Sequence, residues 1–482
     1  MSKEILVNIE PQEKRVAVVS DGVLQEFSIE RPQDRTIVGN IYKGKIEAVL
    51  PSLGAAFVDI GLPKKGFLYL SEIEFAFEAV DEPRSQSPKE IKKGQDVLVQ
   101  VVKESFGTKG PRLSTHIGLA GRYLVIMPQD KQVGISRRIE DDVERRRLRQ
   151  IFNELKLPKD AGFIVRTAAC GKSKLELGRD AQFLYKLWKR LEKIVNEKKA
   201  PSLIYEEYDL TLRAIRDSFT EDVSKMLVDS KPEYYRIQHF MRTFLNYLAK
   251  KVEFYRGDDL FAEKDIEKQI NRIYESRVYL KSKAYLVIEP TEGLVVIDVN
   301  SGGFKRKFNQ EETAFKVNCE AALEVARQLV LRDLGGIIVI DFIDMEKEGH
   351  RRELFNLFKR ALSSDRAKYD IQGISKFGVV EMTRERIHKT VQMLSYQTCP
   401  YCSGRGRVKS AMTMGIYALK ELKKFLQGKG KAVREVNVTL SPVVIDEILK
   451  HKEDLRAIEY KFKTKISFVS NPTLHIEDVH IA

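Results

Sequence analysis

Short runs of alternating apolar and polar residues fill the first hundred positions, and this pattern predicts β-strands. A second strand-rich stretch begins near residue 36, is interrupted by a polar, proline-bearing loop at 81–95, and resumes at residue 96. From about residue 118 helical periodicity appears. The clearest apolar stripe at helical spacing, which we expect to pack in a core, consists of Leu184, Leu187, Trp188, Leu191 and Val195.

Residues 284–384 alternate strand and helix patterns, which predicts a mostly parallel sheet. Two apolar runs in it, VVIDVNSGG and IIVIDFIDM, lead into Asp298 and Asp341, and a helix from Glu311 onward separates them. A strand–helix–strand unit most simply gives two parallel neighbours, about 4.8 Å apart. We therefore expect the two carboxylates side by side at the carboxyl ends of adjacent strands, where α/β sheets bind ligands.

Two carboxylates at such a distance repel each other, and a divalent cation removes the repulsion. Oxygen ligands with incomplete protein coordination suit one Mg²⁺ ion, which keeps water and accepts substrate phosphate. Asn300 is expected to hold a carboxylate or a water in place. Asp344 is a third candidate, with a structural role as the alternative, because strand alternation gives it the opposite face from Asp341. The alternative is that these aspartates only cap loops or helices.

Charge and composition extend this picture. The 482 residues, enough for roughly two to four domains, carry a formal net charge of +14, which favours a polyanionic partner. Nucleic acid is the first candidate and a membrane surface the second, while a merely solvated basic surface is the alternative. We expect no signal peptide, no membrane span and a cytoplasmic protein with reduced thiols, since only four cysteines are present. A metal held by two acids in a protein that attracts polyanions implies phosphodiester hydrolysis.

The segments VVIDVNSGG, EETA, LRDLGGIIVIDFIDM and TCPYCSGRG together resemble the ribonuclease E/G endoribonucleases over essentially the whole chain. The chain length resembles the shorter, G-type members. The resemblance implies that Asp298 and Asp341 hold a catalytic Mg²⁺, that Asn300 supports Asp298, and that single-stranded RNA is cut to leave a 5′-phosphate and a 3′-hydroxyl. It also implies roles in ribosomal RNA 5′-end maturation and mRNA turnover. The rival function is a non-catalytic, ribosome-associated RNA-binding protein.

The same resemblance implies an α+β multidomain architecture: an RNase H-like scaffold with an inserted S1 barrel and 5′-sensor segment, followed by a DNase I-like α/β catalytic subdomain, a zinc link and a small C-terminal domain. The expected boundaries are 1–35 and 211–276 for the scaffold, 36–117 for the S1 domain, 118–210 for the 5′-sensor, 277–395 for the catalytic subdomain, 396–408 for the zinc link and 409–482 for a dimerisation domain.

Residues 39–73 resemble an S1 domain, a five-stranded OB-type barrel whose aromatics and lysines bind single-stranded RNA. Phe57 and Phe67 are the candidate RNA-facing aromatics, with core packing as the alternative for either. Lys103 and Lys109 are candidate phosphate contacts, and Lys43 is the weakest candidate.

The stretch AGFIVRTAACGKSK is not a Walker A loop, because Arg166 stands where the first glycine belongs. The family resemblance instead implies that Arg166 and Thr167 grip a 5′-monophosphate, with a backbone contact near Val133–Gly134. A guanidinium and a hydroxyl are suitable phosphate donors. The alternative is a surface arginine and threonine without that role.

Cys399 and Cys402 form a CxxC with turn glycines, typical of half a zinc site. Cys170 and Cys319 are distant in sequence, and His388 lies too far upstream for a usual knuckle. The simplest completion is a second copy of the chain, giving a structural Zn²⁺ and a homodimer, as the family resemblance also implies. A tetramer is left open. A thioredoxin-like redox pair is the runner-up.

Overall fold

A computed structural model describes residues 2–73, 92–105, 109–130, 133–155, 157–158, 160–244, 246–291, 293–302, 310–363, 365–375, 377–386, 395–429 and 433–482. These residues form two compact units, which comprise residues 1–391 and 392–482. Among the described residues, no helix is both long enough and apolar enough to cross a membrane.

The chain begins with an antiparallel meander of three strands, β1 (Lys3–Glu10), β2 (Glu13–Ser20) and β3 (Val23–Glu30). Both faces of β1 are buried, with Ile5 and Val7 on one side and Leu6 on the other. The sheet is therefore the middle layer of its subdomain.

The next segment folds into a closed five-stranded barrel, because β4 pairs with both β5 and β7. Strand β5 continues to β6, β6 to β8, and β8 back to β7. The elements are β4 (Ile41–Leu50), β5 (Ala55–Asp59), β6 (Gly66–Tyr69), α1 (Leu70–Ile73), β7 (Asp96–Lys103) and β8 (Arg112–Ser114). The barrel confirms the S1-type expectation at the level of the fold.

A four-stranded sheet in the order β11-β12-β10-β9 follows, covered by two long helices, while one further strand pairs with β4 of the barrel. The elements are β9 (Leu119–Ala120), β10 (Leu124–Met127), β11 (Val133–Ile135), α2 (Asp142–Glu154), β12 (Gly162–Val165), α3 (Lys174–Glu197) and β13 (Ser202–Tyr205). Of the stripe predicted from the sequence, Leu184 and Leu191 are fully buried and the others pack partly buried against the same core.

The chain then returns to complete the first sheet in the order β15-β14-β1-β2-β3. Strand β14 pairs parallel with β1 and β15 parallel with β14. The elements are α4 (Leu210–Ser218), β14 (Val223–Val228), α5 (Lys231–Phe244), β15 (Val252–Phe254), α6 (Leu260–Glu263) and α7 (Ile266–Ile273). Helices α4 and α5 cover one face, and α6 and α7 cover the other.

The last sheet of this unit, here called the catalytic sheet after the catalytic subdomain expected from the sequence, has six strands in the order β16-β17-β18-β19-β21-β20. Its elements are β16 (Arg277–Tyr279), β17 (Tyr285–Pro290), β18 (Leu294–Asn300), α8 (Gln310–Leu331), β19 (Gly336–Asp341), α9 (Glu348–Leu362), β20 (Tyr369–Ile371) and β21 (Val379–Arg384). Among the described strands of this sheet, only β18 and β19 pair in parallel. The prediction of a mostly parallel sheet is therefore wrong, because β16–β17 and β20–β21 are hairpins and only α8 provides a crossover between adjacent strands.

The second unit is a small α/β body with a three-stranded sheet in the order β23-β22-β24. Its elements are α10 (Ala411–Lys429), β22 (Glu435–Leu440), α11 (Pro442–Lys450), α12 (Lys452–Phe462), β23 (Lys465–Ser470) and β24 (His480–Ile481). It has its own hydrophobic core.

A buried ion-pair network joins the catalytic sheet to the segments that follow its two helices. Arg384, the last residue of β21, donates from Nε to Asp365 Oδ2 at 2.6 Å and from Nη1 to Asp333 Oδ1 at 2.8 Å. Asp333 follows α8 and Asp365 follows α9, so one guanidinium fixes both connections to the sheet. The Arg384 and Asp365 side chains are almost completely buried.

We predict that Asp365→Ala lowers the free energy of unfolding of the full chain by about 3 kcal/mol, because it removes the more deeply buried of the two counter-charges of Arg384 and leaves its Nε without a partner. Urea denaturation of the full chain measures this. Glu348→Ala, which breaks an exposed pair with Arg352, is the control and is expected to change stability by less than about 0.5 kcal/mol. Equal effects of the two substitutions would contradict a structural role for the network.

Candidate functional site

Asp298 and Asp341 are direct register partners on the parallel strands β18 and β19. They lie on the same face of the catalytic sheet, and neighbouring strands are about 4.8 Å apart. The opposite face of β18 packs in the core that contains α8, where its side chains are buried: Val295, Ile297 and Val299. The structure thus brings the two aspartates together as the sequence predicts, at the carboxyl end of the parallel pair β18–β19.

Polar and charged neighbours orient one carboxylate of the pair and raise the pKa of the other. Asn300 donates from Nδ2 to Asp298 Oδ2 at 2.6 Å, so its amide orients that carboxylate, as we expected. Burial, together with the negative charges of Asp298 and Asp344, raises the pKa of Asp341. Asp344 therefore lies within electrostatic range of the pair. The argument from strand alternation was wrong for this residue, because β19 ends at Asp341.

The loop between β19 and α9, which carries Asp344, is held by side chains that the sequence analysis missed. Asn318 of α8 is fully buried, donates to Ile343 O at 2.7 Å and accepts from Ile343 N at 3.0 Å. Glu311 accepts from the backbone nitrogens of Glu346 and Lys347. The signal for Asn318 was its position on a buried helical stripe, four residues from both Ala314 and Ala322.

The end of β18 packs tightly against the turn of the β16–β17 hairpin. Gly302 has φ +56°, and a Cβ added there would lie 2.5 Å from Lys283 O. A side chain at this position would meet both backbone strain and a steric clash. The hairpin turn and the strand that carries Asp298 are therefore in direct contact. Gly303, the last residue of the VVIDVNSGG segment, lies outside the described residues.

The donor set fits a hard divalent cation with an incomplete protein shell. Within the described part of the chain, no group of three or more His, Cys, Asp or Glu side chains is gathered for a metal ion. Two carboxylates on adjacent strands leave the other coordination positions to water and substrate phosphate. That is the arrangement Mg²⁺ usually takes, in contrast to the all-protein cages typical of Ca²⁺.

One face of the barrel carries the predicted aromatics. Phe57 and Phe67 are register partners on β5 and β6, both half-buried, with ring centroids 6.0 Å apart. Two further residues were missed: Tyr69, whose ring lies 5.0 Å from that of Phe67, and Arg112, whose guanidinium lies 4.9 Å from the Tyr69 ring. Aromatic rings beside a cation suit stacked bases and their phosphates.

The lysines of the barrel differ in their surroundings. Lys103 is exposed and is the register partner of Arg112, and Lys109 is also exposed. Lys43 instead donates to Val195 O at 3.0 Å and to Lys198 O at 2.9 Å, at the end of α3. It holds the barrel against that helix, which agrees with its being the weakest candidate.

Arg166 and Thr167 follow β12 and differ in exposure. Arg166 is half-buried and donates from Nη2 to Asp217 Oδ1 at 2.8 Å and from Nη1 to Gly121 O at 2.6 Å. Although burial raises the pKa of Asp217, the charges of Arg216 and Arg166 outweigh it and hold the value at about 2. Thr167 is exposed. Val133 and Gly134 pair with Phe163 and Ile164 on the neighbouring strand.

Cys399 and Cys402 lie in a turn of the second unit. Cys402 Sγ accepts from Gly406 N at 3.4 Å, and that backbone hydrogen bond lowers the pKa of the thiol. Gly404 and Gly406 have φ of +81° and +69°, so the turn needs these glycines. His475 is not a third ligand in this arrangement, because its ring contacts Tyr401 O through Nε2 and Glu477 N through Nδ1.

Comparison with known families matches three stretches of the chain. The S1 RNA binding domain matches residues 35–116, the Ribonuclease E/G family matches residues 118–387, and the RNase E/G thioredoxin-like domain matches residues 398–482. The first match covers the closed barrel, and the second contains the Asp298–Asp341 pair.

The chain is also similar to curated proteins that are named ribonuclease G or ribonuclease E. Ribonuclease G of Escherichia coli (strain K12) is 43% identical over 432 residues, which is 88% of each chain. Ribonuclease G of Haemophilus influenzae is 42% identical over 426 residues, 87% of each chain. Ribonuclease E of Escherichia coli (strain K12) is 39% identical over 466 residues, which is 95% of this chain but 44% of that protein.

These matches span the barrel, the acid pair and the C-terminal unit, and they exclude the rival of a non-catalytic S1 protein. The chain belongs to the ribonuclease E/G family and is an endoribonuclease with an S1 RNA-binding domain, similar to ribonuclease G over most of its length.

Proposed function

We propose that the chain is a Mg²⁺-dependent endoribonuclease that cuts single-stranded RNA at the Asp298–Asp341 pair. The observation that carries the proposal is the register of β18 and β19, which sets the two carboxylates opposite each other on an accessible face. Hydrolysis leaves a 5′-phosphate and a 3′-hydroxyl. The substrates that the family resemblance implies are ribosomal RNA precursors and mRNA.

In this proposal Asp298 and Asp341 hold the metal ion, and Asn300 keeps the Asp298 carboxylate in one orientation through its 2.6 Å hydrogen bond. When bound, Mg²⁺ supplies an activated water and neutralises charge on the phosphate. Asp344 contributes negative charge from the loop that Asn318 and Glu311 fix. The three carboxylates together make the site attractive to a cation.

Two further surfaces of the protein bind the RNA substrate: the barrel binds its bases and phosphates, and a pocket binds its 5′-end. Phe57 and Phe67 offer stacking faces, and Lys103 and Lys109 offer phosphate contacts. Arg166 and Thr167 form the pocket for a 5′-monophosphate. The ion pair with Asp217 fixes the Arg166 guanidinium, and the exposed Thr167 hydroxyl is free to approach a phosphate.

The proposal also assigns the first sheet and the catalytic sheet to an RNase H-like scaffold and a DNase I-like subdomain. The order β15-β14-β1-β2-β3, with an antiparallel meander and two added parallel strands, supports an RNase H-like scaffold split at residues 1–35 and 211–276. The mixed six-stranded sheet with α8 and α9 supports a DNase I-like subdomain at 277–395. Between the scaffold segments lie the proposed S1 domain, 36–117, and 5′-sensor, 118–210.

We also propose that Cys399 and Cys402 bind half of a structural Zn²⁺ site, which a second chain completes in a homodimer. Only two thiols meet in the turn at 396–408, and a closed zinc site needs four ligands. The redox alternative has less support, because both cysteines precede the first strand of the second unit. The domain at 409–482 then serves dimerisation. All four thiols are free, which supports the proposal of a cytoplasmic location.

For the acid pair, we predict that Asp298→Asn or Asp341→Asn lowers the cleavage rate at least about a hundredfold, since even residues that only support metal ligands cost 10- to 100-fold. RNA binding should persist in both variants. Cleavage of a fluorescent single-stranded oligonucleotide in Mg²⁺, with binding measured by anisotropy, tests this. Asp370→Asn, on the exposed edge strand β20, is the matched control. Wild-type rates for both active-site variants would refute the metal assignment.

For the 5′-end, we predict faster cleavage of a 5′-monophosphorylated oligonucleotide than of its 5′-hydroxyl twin. Thr167→Val should reduce this preference about tenfold, because it removes one hydrogen bond to a charged phosphate. The 5′-hydroxyl substrate is the internal control, and its rate should not change. An unaltered preference in Thr167→Val would show that the hydroxyl does not contact the 5′-end.

For the zinc link, we predict one zinc ion per two chains, measured by elemental analysis of the purified protein. Cys402→Ser should lose the metal and shift the protein toward monomer in analytical ultracentrifugation. Cys170→Ser, a free exposed thiol in the first unit, is the control and should keep both. One zinc per chain, or none, would contradict a shared site.

A further inference from the structure

The catalytic sheet has one covered face and one open face. Alternate residues of β18 and β19, such as Ile297 and Ile340, are completely buried. The residues between them, including Val296, Asp298 and Asn300, are only half-buried. The open face is thus the face that carries the acid pair, and it extends over the neighbouring strands.

Strand register places a group of aromatic and basic residues on this open face. Tyr285 of β17 is the direct partner of Asn300, and Tyr279 of β16 is the direct partner of Tyr285. In the next row, Arg277 is opposite Val287, which is opposite Asp298. Tyr279 is therefore two strand spacings from β18, or about 10 Å.

The three side chains form one surface, here called the tyrosine platform (Arg277, Tyr279 and Tyr285). The rings of Tyr279 and Tyr285 lie 6.0 Å apart, and the Arg277 guanidinium lies 5.4 Å from the Tyr285 ring centroid. Tyr279 is 68% exposed. An aromatic ring this exposed contributes little to the core, so its presence beside the active site needs another explanation.

The platform is fixed in position relative to the acid pair. The β16–β17 turn is held by Glu320 of α8, which accepts from the backbone nitrogens of Lys281 and Ser282. On its other side, Lys283 O of the same turn packs against Gly302 at the end of β18. The platform is thus pre-ordered before any ligand binds, which lowers the entropic cost of binding.

We propose that the tyrosine platform is a stacking subsite for one base of the single-stranded RNA, next to the nucleotide at the cleavage site. The proposal rests on the proposed function, because it places the scissile phosphate at Asp298 and Asp341. Tyr279 offers an exposed π-face to the base, Tyr285 supports it, and the exposed Arg277 attracts the adjoining phosphate. Such stacking tolerates any base, which suits an enzyme that recognises unpaired RNA.

The test combines a substitution in the protein with a change in the RNA, and it measures binding in buffer without Mg²⁺ and without a chelator, so that the proposed zinc link stays intact. An oligonucleotide with a defined cleavage site receives a single abasic nucleotide at each position in turn. With the wild-type protein, we expect one position beside the cleavage site at which the missing base weakens binding about five- to hundredfold. In Tyr279→Ala the intact RNA should bind more weakly by a similar factor. Removal of the base at that position should then cause no further loss of binding, so this loss, here called the abasic penalty, should disappear.

Two further variants make the result specific. Tyr279→Trp keeps a stacking face and should restore the abasic penalty. Tyr235→Ala removes another exposed tyrosine, 60% exposed and paired with Tyr234 on α5, and should change neither binding nor the penalty. With intact RNA in Mg²⁺, Tyr279→Ala should raise KM and leave kcat nearly unchanged, because stacking stabilises the bound substrate and the transition state equally.

An abasic profile that is the same in wild type and Tyr279→Ala would overturn the proposal. So would a Tyr279→Ala variant that changes only the oligomeric state, since the platform would then be a contact between proteins. Because the binding measurement omits Mg²⁺, failure of the Mg²⁺ proposal would appear only in the cleavage of Asp298→Asn and Asp341→Asn.

Discussion

Repulsion between two like charges is the constraint that the structure around β18 and β19 has to meet. The parallel pairing of β18 and β19 puts Asp298 opposite Asp341, and a third carboxylate, Asp344, lies within electrostatic range. Burial first, and the negative charges of Asp298 and Asp344 second, raise the pKa of Asp341. The surrounding structure must therefore hold the acids together against their repulsion.

The restraint comes from the hydrogen bonds of three polar side chains. Asn300 ties down the Asp298 carboxylate, Asn318 fixes the loop after Asp341, and Glu320 fixes the hairpin beside β18. Two of these three residues lie on α8, the helix that crosses between the two aspartate strands. The element that makes the strands parallel therefore also keeps their ends in place.

The acid pair was predictable because its geometry follows from local sequence: two apolar strands, each leading into an aspartate, and one helix between them. The contribution of Asp344 was not predictable, because it depends on where β19 ends. Arg166 follows β12, and its ion-pair partner Asp217 lies in the distant helix α4. Tyr69 and Arg112 meet only when the barrel closes. Such contacts depend on the three-dimensional arrangement of distant segments, which periodicity does not encode. The prediction of a mostly parallel sheet was wrong for a similar reason, since hairpin and crossover connections give similar patterns along the chain.

The interrupted first sheet has a consequence for the order of folding during synthesis. Strand β1 lies at the centre of that sheet, yet its parallel partner β14 is separated from it by more than 200 residues, as the pairing of Lys3 with Val223 shows. Until the ribosome has made β14, one edge of β1 has unpaired backbone groups next to apolar side chains, which is a common starting point for aggregation. The closed barrel can complete itself much earlier, since its strands span only residues 41–114. The nascent chain therefore has to protect its own first strands while later parts fold, and contacts of such long range are expected to make this sheet the slow step of assembly.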